Sequence, residues 1–277
     1  MRKEVQKKEY EILFEDKYVC YQLCKAANLP LPVQYACVNP EDDYKLKIRS
    51  ILNNNSNKKI IIKPVMGKGG NEIVLALKDN DEFIIQTKNK KILLNNFILR
   101  SRSVIQDFII QHNRLSRIFP SINTIRIVTL LTKTKDVIII GALMRFGVKD
   151  AFIDNTSMGG VAIGINLEEG VLNKIAYDFK SMKYYSHPTS GFVFENFQIP
   201  YWQEVVDLSK KIQLTFSYYK LLGHDIAITP DGPIIIEINA VHDNVGIEQS
   251  YGPILSNERL RNEFKGYGLL INKISNG

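Results

Sequence analysis

Cysteine, histidine and tryptophan are scarce in this sequence: three, four and one among 277 residues. Cys20, Cys24 and Cys37 are odd in number and fit no metal or redox spacing, which excludes a disulfide framework and points to buried thiols in a reducing cytosol. His112, His187, His224 and His242 share no metal-ligand spacing. His187, in YYSHPTSG, reads as an exposed loop residue that could meet a substrate. No apolar run reaches the length of a membrane span, and the opening MRKEVQKKEYEILFED has no apolar signal core, so a cytoplasmic protein without a span is expected. Internal repeats and long linkers are also missing. Charge is modest at 23%, against 45% hydrophobic residues, an ordinary globular balance for one large or two small domains. The net +7 is carried by dispersed Lys and Arg without aromatic interleaving, which favours an anionic small molecule over nucleic acid.

Turn chemistry and hydrophobic period divide the chain into strands that arrive in hairpin-like pairs, separated by single helices. Asp16 is a plausible N-cap for a helix to about Asn28, stopped by LPLP. A strand at VQYACV, a helix over Asp42–Leu52 and a buried strand KKIIIKPV follow, then the glycine loop MGKGG and the strand NEIVLAL. Further strands are expected at 82–87, 103–110, 124–133 and 136–146, with helices near 89–99 and over Trp202–Leu221. This order favours an antiparallel α+β fold over a doubly wound sheet. A composition dip near 100–103 divides it into an extension (1–15), a first subdomain (16–102) and a second (103–277).

GHDIAITPDGPIIIEINA reads as a hairpin about Pro230-Asp231-Gly232. Its period of two sets Asp225 roughly opposite Glu237 and puts Glu237 and Asn239 on one strand face. Like charges facing each other are destabilising unless something lies between them, and a hard cation fits these oxygen donors. A solvated polar strand face is the alternative. In IIIKPVMGKGGNEIVLAL, Lys63 ends a buried strand before a glycine loop able to cradle phosphates; the spacing is not Walker A, and a plain hairpin turn is the competing reading. SVIQDFII could offer the backbone of Gln106–Ile109 to an adenine edge. Arg126 and Arg145 interrupt apolar strands, which calls for an anion, either a ligand or an internal carboxylate. DNTSMGGVAIG places Asp154, Asn155, Gly159 and Gly160 in a loop suited to phosphate or metal approach. Cys20 and Cys24, at i and i+4, read as helix core.

Taken together and in this order, the segments resemble the ATP-grasp superfamily, in particular its sugar-transfer-associated branch, akin to the ribosomal-protein glutamate ligases. The resemblance runs from DKYVCYQLCKAANLPLP to the last hairpin, with INTIRIVTL, DNTSMGGVAIGI and GHDIAITPDGPIIIEINA the most specific stretches. It implies two α+β subdomains clamping ATP with Mg²⁺ or Mn²⁺. Lys17 and Lys63 would be the nucleotide lysines, Gly67, Lys68, Gly69 and Gly70 the phosphate loop, and Gln106, Asp107, Phe108 and Ile109 the adenine hinge, with Asn155 beside the nucleotide. Arg126 and Arg145 would hold phosphate and the reacting acyl group, and Asp225, Glu237 and Asn239 the metal.

The implied activity is ATP-dependent carboxylate–amine ligation through an acyl phosphate, on small-molecule carboxylate and amine substrates that the branch name links to sugars. A kinase phosphorylating a hydroxyl on the same scaffold and a non-catalytic nucleotide binder are the alternatives. Many relatives carry a further domain before the first lysine, whereas sixteen residues precede Lys17 here. Substrate recognition is therefore expected from 147–200, the C-terminal tail, a second copy or a partner subunit.

Overall fold

The computed structural model describes residues 4–67, 69–70, 72–88, 90–149, 159–241 and 244–270. Near its start, two short helices, α1 (Ile12–Glu15) and α2 (Lys17–Ala26), meet at Asp16. Asp16 is extended, and its carboxylate accepts from the Tyr18 and Val19 amides at 2.9 Å each, the N-cap expected of it. That cap fixes where α2 begins, and Lys17 is its first residue.

The most apolar segments become central strands. A six-stranded sheet runs in the order β1-β6-β2-β3-β4-β5. It is built from β1 (Gln34–Val38), β2 (Lys59–Pro64), β3 (Val74–Asp79), β4 (Glu82–Gln86), β5 (Lys91–Leu93) and β6 (Ser103–Asp107). One face carries Ile60, Ile62, Val74, Ala76, Ile85 and Ile105 into a core with Ile48, Ile51 and Leu52 of α3 (Tyr44–Asn54). Alternation then sends Lys63, Val104 and Gln106 to the other face.

A seven-stranded sheet follows in the order β11-β10-β9-β8-β7-β12-β13. Its strands are β7 (Thr124–Leu131), β8 (Val137–Phe146), β9 (Val161–Ile165), β10 (Leu172–Asp178), β11 (Lys183–Tyr184), β12 (Leu221–Thr229) and β13 (Gly232–Asn239). Among the described residues every strand pair in both sheets is antiparallel, as the α+β reading requires. Behind the second sheet, α5 (Trp202–Thr215) buries Val205, Ile212 and Trp202 in the largest core, joined by Phe14, Cys20 and Cys24 from α1 and α2. The other face carries Val128, Leu143 and Ala162 against Ile247 of α6 (Asn244–Ser250) and Leu260 of α7 (Glu258–Gly266). A one-turn helix, α4 (Asn113–Ser116), lies between the sheets in sequence.

Three expectations are corrected. The helix expected near 89–99 is not found over its described residues, 90–99: 91–93 are β5 and 94–96 a 3₁₀ turn. Ile92 and Leu94, then Phe97 and Leu99, reach the first core at a spacing of two, which strand-like backbone satisfies and an α-helix does not. The first sheet extends past 102, because β6 is inserted between β1 and β2. His187 is buried, 1% exposed, and stacked on Phe119 with a ring separation of 5.1 Å. Its Nε2 bonds the Gly147 carbonyl at 2.8 Å while Nδ1 accepts from the Ser190 amide at 3.2 Å, so it braces the turn after β8.

Asp16→Ala should lower stability by about 1 kcal/mol in urea unfolding, with Asp16→Asn recovering most of it. Equal stability of Asp16→Ala and wild type would show that the cap does not set the start of α2.

Candidate functional site

The hairpin β12–β13 pairs Asp225 directly with Glu237, as its alternation predicts. On its other side Asp225 pairs with Arg126 of β7, so one row across three strands reads Glu237, Asp225, Arg126. Arg126 grips the Asp225 carboxylate with Nε and with Nη2, the latter at 2.9 Å. Arg145, from β8, brings its own Nη2 to 2.9 Å of Asp225 Oδ2 and donates Nε and Nη2 to the Thr124 hydroxyl. Burial alone would raise the Asp225 carboxyl, but the two guanidiniums outweigh it and hold the group well below the ordinary carboxylate range. The internal-carboxylate reading of the arginines is thus realised, with one carboxylate serving both. Thr124, which sequence reasoning did not single out, orients Arg145.

Glu237 is relieved of its like-charged neighbour from the opposite side. Lys17 Nζ lies 3.3 Å from its Oε1 and donates to the Gly67 carbonyl at 2.7 Å, while the Lys17 amide donates to Val65 O at 3.0 Å. The start of α2 is thereby stitched to the glycine loop of one sheet and to β13 of the other. Lys63 of β2 is buried in the same place. Burial pulls it down from its ordinary 10.5 to about 8; Glu237 opposes that shift and Lys17 adds to it. Two adjoining hollows share Lys17, Lys63 and Glu237. One is walled by Gly67, Gly69 and Gly70, all at positive φ. The other is apolar, between Cys20, Leu31 and Ile236, with Gln106 at its edge. Cys20 and Cys24 are therefore cleft wall as well as helix core. Their facing thiols, with burial, push Cys20 well above the ordinary thiol range, so it lines the cleft as an uncharged group.

Of the expected hinge, Gln106 faces the cleft and donates to Gln34 Oε1 at 3.1 Å. Asp107 turns its carboxylate to the Asn55 amide at 2.9 Å, and Lys59 Nζ sits 5.5 Å from the Phe108 ring centre. Ile109 is half-buried. Asn239 shares the β13 face with Glu237 and borders the same cleft, and its buried Nδ2 has no hydrogen-bond partner among the described residues. Lys68, Asp154, Asn155 and His242 lie outside the described residues. A larger hollow, on the α3 face of the first sheet beside Ile62, Val74 and Phe97, touches this site only through Pro64, Gly70 and Ile73. It contains neither cleft lysine nor Glu237, so the charged cleft is the better candidate for chemistry.

Solved structures share this architecture at low identity. An L-amino acid ligase from Bacillus licheniformis superposes with a TM-score of 0.52 at 13% identity, covering 91% of this chain and 48% of that one. D-cycloserine synthetase DcsG gives 0.51 at 10% identity, covering 90% and 69%. The biotin carboxylase domain of 2-oxoglutarate carboxylase from Hydrogenobacter thermophilus, solved with MgADP and bicarbonate, gives 0.50 at 15%, covering 83% and 40%. The chain thus spans less than half the length of two of these three proteins. No curated protein matches the sequence. Two antiparallel sheets with a glycine loop and lysines between them form the ATP-grasp fold. Residues 1–263 match the sugar-transfer associated ATP-grasp family, and the chain belongs to it.

Because Lys63 is depressed in the fold, its charge costs stability at any pH below about 8, and the cost fades as pH rises from there toward 10.5. Lys63→Met should therefore be more stable than wild type near neutral pH, by at most about 3 kcal/mol. That advantage should shrink at about pH 9.5 in paired urea titrations. An equal difference at both pH values would mean that Lys63 is not desolvated.

Proposed function

We propose that this chain is an ATP-dependent carboxylate–amine ligase working through an acyl phosphate. The observation that carries the reading is the convergence of Lys17, Lys63, the three loop glycines and Glu237 on one cleft, beside an apolar hollow edged by Gln106. A buried lysine beside a second lysine is costly unless an anion joins them, and a polyphosphate is the anion suited to a loop whose positive-φ glycines let the backbone approach closely. The apolar hollow between Cys20 and Ile236, about 30 Å³, would have to widen to admit a base.

A divalent cation fits the opposite wall. Glu237 and Asn239 offer oxygen donors on one strand face, and an amide flip would turn the orphaned end of Asn239 into an acceptor. Asp225 keeps one lone pair, on Oδ1, beyond the three its arginines occupy, because a carboxylate accepts about four hydrogen bonds. Mg²⁺, when bound, would neutralise and orient the terminal phosphates.

Lys17 and Lys63 would hold the phosphates, and the glycine loop would exclude water over them. The carboxylate substrate attacks the terminal phosphorus, the bond to the leaving oxygen breaks, and ADP and an acyl phosphate result. The amine then adds to the acyl carbon, loses a proton and expels phosphate, leaving an amide. Arg145, held by Thr124 and Asp225, would be the fixed guanidinium that stabilises the oxyanion of that addition. The family description supports a sugar-linked setting for the substrates.

Incubation with Mg-ATP, hydroxylamine and a pool of amino acids, uronic acids and small diacids should yield ADP and a hydroxamate. Glu237→Gln should lose both, and Lys63→Ala should slow ADP release by about a hundredfold or more. A stable phosphorylated product without hydroxamate would overturn the ligase reading in favour of a kinase. Undiminished ADP release by either variant would overturn the site.

A further inference from the structure

Strands β10 and β11 are joined by a tip, Phe179–Met182, at one end of the second sheet. The tip is firmly built. One oxygen of the Asp178 carboxylate accepts from the Lys180 and Met182 amides at 2.8 and 2.9 Å, and the other accepts from the Tyr184 hydroxyl at 3.1 Å. The Ser181 amide donates to Asp178 O at 3.0 Å, and Gln249 of α6 donates to the Ser181 hydroxyl at 2.7 Å. This ordered turn leaves Phe179 78% exposed and Met182 58%, with Tyr185 at 56% beside them and Val245, on α6, at 72%. Single exposed apolar residues are ordinary, but a Phe and a Met held outward by a hydrogen-bonded turn make a patch with a purpose.

The tip's own charge is basic, while the adjoining α6 carries the exposed Glu248 beside Gln249. Between 171 and 194 the sequence has three lysines and one acid, Asp178, which is spent inside the turn. Lys174 pairs with Glu195 at 3.4 Å, while Lys180 and Lys183 flank the apolar tip in solvent. The location matters too. Tyr177 pairs with Ala162, and Ala162 with Arg145, so the tip begins just past the Arg145 row and two strands across from it.

We propose that this tip docks on an anionic lipid surface, Phe179 and Met182 entering the acyl boundary while Lys180 and Lys183 meet headgroup phosphates. Apolar and aromatic side chains with cationic shoulders match the layered chemistry of a bilayer interface. A protein partner would need roughly 800 Å² of matched surface, more than a four-residue tip supplies. Among the described residues no helix is long and apolar enough to cross a membrane. Docking would turn the Arg145 end of the second sheet toward the bilayer. The proposal does not depend on the chemistry assigned to that cleft.

The test is sedimentation of the full chain with phosphatidylcholine vesicles, pure or containing about one-third phosphatidylglycerol. Binding should require the anionic lipid and weaken in high salt. It should fall about tenfold or more in Phe179→Ser/Met182→Ser and in Lys180→Glu/Lys183→Glu, each of which should melt like wild type because the residues are exposed. Absence of wild-type binding, or equal binding by folded variants, would overturn the proposal. So would a tip-dependent change of oligomeric state by light scattering without vesicle binding, which would make the tip a contact between copies.

Discussion

Asp225 sits 4% exposed between two guanidiniums, and the arrangement of the second sheet depends on that triad. Taking three charged groups out of water is expensive, and it is tolerable only because β12, β7 and β8 lie side by side in one register. A slip of one residue in β12 would swing Asp225 to the far face, leaving both arginines without it. Removal of one member of such a buried set typically costs about 3–5 kcal/mol, so the triad selects the register as much as it stabilises the fold. The same register places Glu237 opposite Asp225 and within reach of Lys17.

The cleft between the sheets carries the complementary imbalance. Lys17 and Lys63 face one carboxylate, Glu237, and burial has already lowered Lys63. A desolvated lysine held beside another cation contributes nothing evident to packing, and its retention makes sense if an anion arrives. The glycine loop and the Asn239 amide flank the same cleft, one with side-chain-free backbone that a ligand can approach and the other with a polar group unsatisfied among the described residues. Local sacrifices of stability that converge on one cavity are the physical mark of a ligand site.

Much of this was legible in the sequence where local chemistry decides it. The Asp16 cap, the Pro230–Gly232 turn and the period of two in IIIEINA each act within a few residues, and they led to α2, the hairpin and the Asp225–Glu237 register. The segment 89–99 misled because ILLNNFIL supports either period, and only the first core, formed with α3, chooses between them. The cations that pair with Asp225 and Glu237 come from strands and a helix remote in sequence, so the hairpin alone gave no sign of them. His187 read as exposed because its aromatic neighbours, Phe119, Phe146 and Phe194, come from three separate segments. Thr124 gave no sequence signal beyond lying two residues before Arg126.

Lys17, Lys63 and the glycine loop are proposed to form a nucleotide phosphate site. Calorimetric titration of ATP into wild type and into a Lys17→Met/Lys63→Met variant, with and without Mg²⁺, tests it without any knowledge of the acceptor. Wild type should bind ATP stoichiometrically and more tightly with Mg²⁺, and the folded variant should bind more weakly by about a hundredfold or more. Equal affinity of the two proteins, or no ATP binding by wild type under either condition, would contradict it.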